Sequence, residues 1–359
     1  MNEFNYDWSL KNTNFTKDKG KVFSCFACGG GSTMGYKLAG FDVIGCNEID
    51  HRMMYAYCRN HNPKYPYLEP IQELKGKDLP KELFDLDILD GSPPCSTFSM
   101  NGSREETWGV ERTFKEGQAK QVLDTLFFDF IDLAAKLQPK VVVAENVKGI
   151  LLGKAKDYVR RIHIELDKAG YYCQHWLLDA SKMGIPQKRE RVFFIGLRKD
   201  LAKQFLFRKD MFTVVPKLNL NFNFDPIPFS EIYEANAKGL KEPAPFIKKL
   251  WPERSEKDSN VGDTCLRLRG KKTGFSTTYL HKQKVCGTLT AHPDNSCQIL
   301  FDEMRYLSLN EWCKIGSFPK DYDFSGLNPG YLIGMSVPPV MLAQISSQIY
   351  YQWLAKINK

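Results

Sequence analysis

The sequence lacks several features that would place it in a special class of protein. No apolar run approaches the ~20 residues needed to span a bilayer, and the longest candidate, from Leu126 to Ala135, is interrupted by Asp129 and Asp132. The first residues lack the basic-then-apolar order of a signal peptide, and we find no internal repeat or low-complexity tract. These absences predict a soluble cytoplasmic protein with no membrane segment.

A disulfide framework is absent as well. Ten cysteines in 359 residues without a secretory signal indicate reduced thiols. Cys25 and Cys28 form a C-x-x-C pair, but no second pair follows at zinc-site spacing, so we predict no metal site. Charge of one sign is only mildly in excess: 50 basic and 42 acidic side chains give a net charge of +8. This charge slightly favours an anionic partner such as nucleic acid.

Between residues 21 and 198, short apolar runs alternate with helical patterns. The predicted strands are Val22–Ala27, Val43–Cys46, Asp87–Leu89, Val141–Ala144 and Arg191–Leu197, and the predicted helices are Met34–Ala39, Asp50–His61 and Gln118–Leu137. This alternation predicts an α/β fold with a mostly parallel, doubly wound sheet. Such sheets bind ligands at the carboxyl ends of their strands, where four polar turns of this chain would meet.

The composition changes after Arg198. Prolines, asparagines and Lys/Arg clusters become common, and the periodicity weakens until helical patterns return at Ser308–Ile315 and Val340–Leu354. We therefore predict a first domain over 1–198, a smaller loop-rich domain over 199–297, and a C-terminal segment, 298–359, that returns to the first domain.

Four sequence features could carry chemistry. The turn Gly29-Gly30-Gly31 between a strand and a helix suits a carboxylate or phosphate, and Glu48 about twenty residues later could accept hydrogen bonds from a ribose. A nicotinamide cofactor fits this pair equally well, and tight packing alone would also explain it.

A thiol and two charged segments form the other features. Pro94-Cys95 presents a thiol that is a nucleophile when deprotonated or else a structural cysteine. Glu145-Asn146, after an apolar strand, could donate a proton or cap a helix. Gln187-Lys188-Arg189-Glu190-Arg191 opens a strand, so alternation predicts Gln187, Arg189 and Arg191 on one face, facing either an oxygen-rich substrate or solvent.

In this order, these features resemble the DNA cytosine-5 methyltransferase family of the bacterial or phage type. The resemblance covers roughly 21–198 and 286–355. Its motifs are the Phe26–Gly31 turn, Pro94-Cys95, Glu145-Asn146-Val147, Gln187–Arg191, Gly287-Thr288-Leu289-Thr290, Arg305–Phe318 and Gly334-Met335-Ser336-Val337-Pro338. It implies a Rossmann-like methyltransferase fold with a smaller target recognition domain, S-adenosyl-L-methionine as cofactor and double-stranded DNA as partner.

The resemblance also implies a role for each matching residue. Cys95 would attack carbon 6 of a flipped-out cytosine, Glu145 would bond or protonate ring nitrogen 3, and Arg191 would hold the 2-oxo group. Arg189 would support the loop geometry, and Asn146 and Gln187 would be structural. The segment Thr97–Gly117 matches the loop that closes over the extruded base.

The positions that match the cofactor site are Phe26, Gly29, Gly31, Glu48, Ile49, Ile71, Pro94, Leu126 and Ser336. The chain departs from the family pattern at Ser24, Cys28, Pro70 and Met335. Pro70 stands where an aspartate usually meets the adenine amino group, and Glu69 is the candidate to replace it.

In the recognition segment, Arg267, Arg269, Lys271, Lys272 and Lys282 are the predicted DNA contacts. The resemblance further implies a monomer in a bacterial or phage-infected cell, with a cognate restriction endonuclease as a functional partner. The alternatives are an RNA cytosine-5 methyltransferase, a catalytically silent DNA-binding homologue and, more remotely, a nicotinamide-dependent oxidoreductase.

Overall fold

Strands and helices alternate along the first two hundred residues of the computed structural model, which describes residues 4–94, 125–153, 155–208, 210, 213–271, 277–291 and 296–358. The strands are β1 (Lys21–Cys25), β2 (Asp42–Glu48), β3 (Tyr65–Leu68), β4 (Ile88–Gly91), β5 (Val141–Val147), β6 (Tyr171–Asp179), β7 (Glu190–Arg198), β8 (Leu206–Arg208), β9 (Val214–Pro216), β10 (Thr278–Leu280) and β11 (Gln298–Leu300). The helices are α1 (Gly31–Leu38), α2 (His51–His61), α3 (Ile71–Gly76), α4 (Leu126–Leu137), α5 (Ala155–Lys168), α6 (Pro245–Leu250), α7 (Val261–Arg269), α8 (Leu309–Ile315), α9 (Pro329–Met335) and α10 (Pro339–Ile349). After α10 the helix continues through a wider turn, Tyr350–Leu354, into Ala355–Ile357.

The described chain separates into two units. The sheet unit comprises Asn14–Asp179, Glu190–Asn221 and Leu342–Lys359, and the second unit comprises Met1–Thr13, Ala180–Arg189 and Phe222–Met341.

The sheet unit is built on a seven-stranded sheet in the order β3-β2-β1-β4-β5-β7-β6. Strands β1 to β5 are parallel, and β7 runs antiparallel to both of its neighbours. One face is covered by α3, α4 and α5, whose apolar side chains form a single core with Phe23, Leu89 and Val142. Residues of α1 and α2 pack on strands of this unit as well, so the predicted doubly wound α/β fold is confirmed.

All five predicted strands exist, but six elements of the sheet unit have no counterpart among the predictions: β3, β6, β8, β9, α3 and α5. Strand β3 contains Pro66, which argues against a strand, and β6 carries polar residues such as Gln174 and His175. Helix α5 is strongly charged on its exposed side. The prediction of a helix over Gln118–Leu137 is confirmed from Leu126 onward. Residues 118–124 lie outside the described residues.

The second unit has its own smaller core. Side chains of α6, α7, β10 and β11 form it, including Leu250, Val261, Tyr279 and Ile299. Helix α8 begins after Ser308, whose hydroxyl accepts the Glu311 N–H while the Glu311 carboxylate accepts the Ser308 N–H, a complete capping box.

One helical stretch, Pro329–Ile357, is long and apolar enough to cross a membrane by composition. Since 78% of its most apolar window is buried inside the protein, it has the character of a core helix. All nine cysteines among the described residues are free thiols.

Candidate active site

Three of the four turns predicted to form one site follow strands at one edge of the large sheet, and the residues of the fourth, Glu145 and Asn146, lie near the carboxyl end of β5 at the same edge. Strands β1, β2, β4 and β5 are parallel, so their carboxyl ends meet there. Strand β1 lies between β2 and β4, so the connections diverge at this point, which is where doubly wound sheets bind their ligands. This part of the sequence-based prediction is confirmed.

Glu145 and Arg191 form an ion pair at this edge. The Arg191 Nε lies 2.9 Å from Glu145 Oε1, and the side chains are only 15% and 12% exposed. The prediction that Glu145 follows the strand is wrong. Glu145 lies within β5, because pairing with β7 extends this strand to Val147. The two residues are diagonal neighbours in the β5–β7 register, which places both side chains on one face. Burial lowers the pKa of the Arg191 guanidinium, and Glu145 opposes that effect.

Asn146 connects β5 to the turn that follows β4. It is 4% exposed, and its Nδ2 donates to the Pro93 carbonyl oxygen at 3.3 Å. Its Oδ1 accepts the Val147 N–H at 2.8 Å. Pro93 is two residues before Cys95, so Asn146 fixes the chain just ahead of the predicted nucleophile. Cys95 itself and the predicted closing loop Thr97–Gly117 lie outside the described residues.

Gln187 and Arg189 do not share a strand face with Arg191, contrary to the prediction from alternation. Strand β7 begins only at Glu190, because Gln187 forms a bridge with Cys286 in the second unit instead. The Gln187 side chain donates to the Ile315 carbonyl and accepts the Leu289 N–H.

Arg189 ties two of the family-like motifs together inside the second unit. Its guanidinium, 2% exposed, donates to the carbonyl oxygens of Leu289, Gly334 and Ser336 at 2.9–3.0 Å. Gly334 must be a glycine, because a Cβ there would lie 2.5 Å from the Thr290 main chain. The geometry agrees with a supporting role for Arg189.

Glu48 at the end of β2 holds the glycine-rich turn. One carboxylate oxygen accepts the Cys28 N–H at 2.7 Å, and the other accepts the N–H groups of Ile49 and Asp50 at 2.9 Å each. Burial raises the pKa of Glu48, and these amide hydrogen bonds oppose the rise. Since a carboxylate offers about four acceptor positions, at least one stays open to a ligand hydroxyl.

The turn itself is left-handed at several residues. Gly30, with φ +80°, caps α1, and a Cβ there would lie 2.2 Å from His61 Nε2. Phe26 and Cys28 also have positive φ, 52° and 47°, which costs about 1–3 kcal/mol per residue with a side chain. The unusual cysteine in this turn is therefore accommodated in a strained conformation whose N–H faces Glu48.

The remaining predicted cofactor residues differ in burial. Gly29 and Gly31 are buried in the turn and at the start of α1, while Phe26, Ile49 and Pro94 are half-buried. Ile71 and Leu126, at the starts of α3 and α4, belong to the core under the sheet. Ser336 lies in the second unit, where its hydroxyl donates to the Leu332 carbonyl oxygen.

Glu69 follows β3 at the same sheet edge. Its Oε2 pairs with Lys77, but among the described residues its buried Oε1 has no hydrogen-bond partner. The neighbouring Asn47 side chain fixes the local main chain by donating to the carbonyl oxygens of Tyr67 and Glu69. A buried acceptor of this kind suits an amino group such as that of adenine.

Asp90 is a buried acid at this edge that has no place among the sequence-predicted site residues. It ends the apolar run of β4 and is 2% exposed. The Ser24 hydroxyl donates to its Oδ2 at 2.8 Å, and the Tyr36 hydroxyl to its Oδ1 at 3.2 Å. Burial raises the pKa of Asp90 to about 7. The sequence signal that could have identified Asp90 is an aspartate at the end of a buried apolar strand, one residue before Gly91.

The predicted DNA contacts of the second unit are partly occupied by other side chains. Arg267 pairs with the buried Asp258 at 2.8 Å, and Lys282 pairs with Glu303 at 2.6 Å and lies over the Tyr233 ring. The Arg269 guanidinium lies 5.6 Å from the centre of the Phe246 ring, and Lys271 is exposed. Lys272 lies outside the described residues.

The C-5 cytosine-specific DNA methylase family matches residues 20–351 of the chain. The chain belongs to this family. It is 30% identical over 354 residues to the type II methyltransferase M.FnuDI of Fusobacterium nucleatum, covering 90% of this chain and 92% of that protein. It is also 30% identical to the type II methyltransferase M.Sau96I of Staphylococcus aureus, with coverage of 99% and 83%.

Among solved structures, DNMT2 of Spodoptera frugiperda has the same fold, with a TM-score of 0.63, 18% identity and coverage of 92% of this chain and 99% of that one. The family match and the two relatives show that the protein is a DNA cytosine-5 methyltransferase. Its cofactor is S-adenosyl-L-methionine, the methyl donor of this family.

Proposed function

We propose that the enzyme methylates carbon 5 of a flipped-out cytosine within a specific duplex sequence, through a covalent bond between Cys95 Sγ and carbon 6. The observation that carries this proposal is the part-buried Glu145–Arg191 pair on β5 and β7, beside Asn146, which holds Pro93 just before the cysteine. Because carbon 6 is inaccessible in a stacked duplex, the base must leave the helix, at a cost of a few kcal/mol.

Cys95 supplies the electron pair that activates the ring. Its thiolate bonds to carbon 6, the carbon 5–carbon 6 π bond breaks, and the released electron pair makes carbon 5 enamine-like and nucleophilic. When bound, S-adenosyl-L-methionine would supply the methyl group for carbon 5 from its sulfonium, which would become a neutral thioether. The carbon 5 proton then passes to water, and the sulfur–carbon 6 bond breaks to restore the ring.

Glu145 and Arg191 stabilise the charge that develops on the ring. Glu145 bonds or protonates nitrogen 3, so that negative charge does not accumulate as the thiolate adds. Arg191 holds the 2-oxo group, and its 2.9 Å bond to Glu145 orients the carboxylate before the base arrives. Both side chains are mostly buried, which strengthens these interactions.

The cofactor side uses the carboxyl ends of β1, β2 and β3. Glu48 accepts hydrogen bonds from the ribose hydroxyls at the acceptor positions that its three hydrogen bonds to main-chain N–H groups leave open. The buried Glu69 Oε1 accepts a hydrogen bond from the adenine amino group. Phe26, Gly29, Gly31, Ile49, Ile71, Pro94, Leu126 and Ser336 complete the proposed cofactor residues. Two acceptors support the fit to S-adenosyl-L-methionine: the buried Glu69 Oε1 and the acceptor position that remains on the Glu48 carboxylate.

Target recognition is assigned to residues 199–297, with Arg267, Arg269, Lys271, Lys272 and Lys282 contacting DNA. M.FnuDI and M.Sau96I are type II methyltransferases, and on that basis we assign this enzyme to restriction-modification or phage self-protection. A cognate endonuclease would be its functional but not physical partner, and the enzyme would act as a monomer.

The decisive experiment combines activity with covalent trapping. The protein is incubated with labelled S-adenosyl-L-methionine and unmethylated genomic DNA, and modified bases are mapped by bisulfite sequencing. We expect Cys95→Ser to abolish methyl transfer and the denaturant-stable complex with DNA containing 5-fluorocytosine, while cofactor binding is retained. Near-normal turnover by that variant would refute the covalent mechanism, and label in tRNA but not in DNA would overturn the assigned substrate.

The recognition segment is tested by exchange. Replacing residues 199–297 by the corresponding segment of a relative with a known target should transfer the sequence preference. An unchanged preference in an active chimera would refute both the boundaries and the assigned role.

A further inference from the structure

Asp90 lies between the two turns that the proposed reaction uses. In the β1–β4 register it is directly opposite Ser24, which donates to it at 2.8 Å. Strand β1 leads into the glycine-rich turn on the cofactor side, and β4 leads through Gly91 to Pro94-Cys95. A single buried carboxylate therefore joins the two strands just before both turns begin.

Helix α1 is attached to the same carboxylate. The Tyr36 hydroxyl donates to the second oxygen of Asp90 at 3.2 Å, and Ser32 in the first turn of the helix lowers the pKa of the same carboxyl group. Tyr36 is itself fully buried. Asp90 thus holds the start of α1, whose preceding turn contains Gly29 and Gly31, against the end of β4.

We propose that Asp90 is a positioning residue that joins the cofactor turn to the strand that carries the nucleophile. The inference rests on the proposed cofactor and Cys95 sites. Ionised Asp90 accepts hydrogen bonds from Ser24 and Tyr36 at once, which orders the glycine-rich turn for the cofactor. No chemical step is assigned to it.

The charge state of Asp90 gives this connection a dependence on pH. The titratable and hydroxyl groups that face it are Ser24 and Cys25 on β1, Ser32 and Tyr36 on α1, Tyr57 on α2 and Glu145 on β5. Burial raises the pKa of Asp90 to about 7 from 3.8. Folding therefore favours the protonated form, and the stability that this provides is present below about pH 4 and lost as the pH rises to about 7.

The experiment measures binding of S-adenosyl-L-methionine by calorimetry at a temperature at which each variant is folded. We expect Asp90→Ser to raise Kd about tenfold, and Ser24→Ala and Tyr36→Phe to raise it less. Asp85→Asn, an exposed aspartate before the same strand, is the control and should leave Kd unchanged. An unchanged Kd in folded Asp90→Ser would overturn the inference.

Transposing the pair separates positioning from general packing. Because Ser24 and Asp90 are register partners, the double variant Ser24→Asp/Asp90→Ser should bind the cofactor at least three times more tightly than Asp90→Ser alone. A double variant no better than the single one would show that the carboxylate–hydroxyl pair is not the connecting device.

Asp90→Asn, which cannot ionise, supplies the pH test. From pH 6 to pH 8 the Kd of the wild type should fall, while that of Asp90→Asn stays flat. The melting temperature of Asp90→Asn relative to wild type should rise over the same pH range, because only the wild type loses stability as Asp90 ionises. Parallel dependences of Kd on pH in the two proteins would refute the role of ionised Asp90. Cofactor binding does not need the thiol, so active Cys95→Ser would refute the proposed nucleophile without changing these binding results.

Discussion

The carboxyl edge of the large sheet and the basic region of the second unit use charge in different ways. At the sheet edge, polar side chains come from strand ends, and each is held by main-chain groups or by one neighbour, as Glu48 and the Glu145–Arg191 pair show. In the basic region, two of the predicted DNA contacts are paired with carboxylates of the same unit, Arg267 with Asp258 and Lys282 with Glu303.

The difference teaches that position within a regular strand is a better guide to a site than composition. A residue at the end of a parallel strand reaches the shared edge whatever its neighbours are. A lysine or arginine outside the strands can instead pair with a nearby carboxylate, which weakens its interaction with an external phosphate. The following predictions test this contrast, beginning with the largest effect.

The first prediction concerns the acid at the sheet edge. Glu145→Gln should lower kcat about 10²–10⁴-fold, because an amide has nearly the same shape but cannot supply a proton. The matched control is Glu190→Gln, an exposed residue of the adjacent strand that pairs with Lys148. Steady-state kinetics on duplex DNA measure both variants, and equal activities would place Glu145 outside the chemistry.

The second prediction concerns the buried pair of the second unit. Arg305 makes two bonds of 2.9 Å to Glu311, which is fully buried. Arg305→Ala should reduce the free energy of unfolding by about 3–5 kcal/mol, because a buried charge loses its partner. Lys168→Ala, which breaks the exposed pair with Glu165, should cost at most about 1 kcal/mol. Urea titrations measure the free energy of unfolding of both variants, and similar losses would contradict the expected difference between the buried and the exposed pair.

The third and smallest effect is expected for single basic residues. Lys271→Ala should weaken DNA binding several-fold and reduce the magnitude of the slope of log K against log salt by about 1, because Lys271 is exposed. Lys282→Ala should change that slope less, since its charge is already paired with Glu303. Fluorescence anisotropy over a salt series measures both, and a larger slope change for Lys282 would refute the ranking.

Much of the sheet could be predicted because buried parallel strands are continuous apolar runs, as in Val141–Ala144. The edge strand β3 contains Pro66, and β6 is only partly buried, so neither has such a run. The strand boundaries were less predictable, since pairing with β7 extends β5 as far as Val147 and includes Glu145.

The candidate site was predictable to the same degree. Glu48 and Glu145 follow from their places in or directly after apolar runs, and the family resemblance supplied Arg191. The pairing of Gln187 with Cys286, which removes Gln187 and Arg189 from the strand, depends on a contact about a hundred residues away in sequence. Local alternation cannot anticipate such a contact.

The amino-acid order alone determined the fold class, the family and the edge at which the polar turns gather, because apolar periodicity and strand direction are local properties. Only the tertiary structure decided which charges are partnered and which acids are buried. Asp90 shows the reason: its ionisation depends on the removal of water and on hydroxyls from β1 and α1, groups that come together only when the chain has folded.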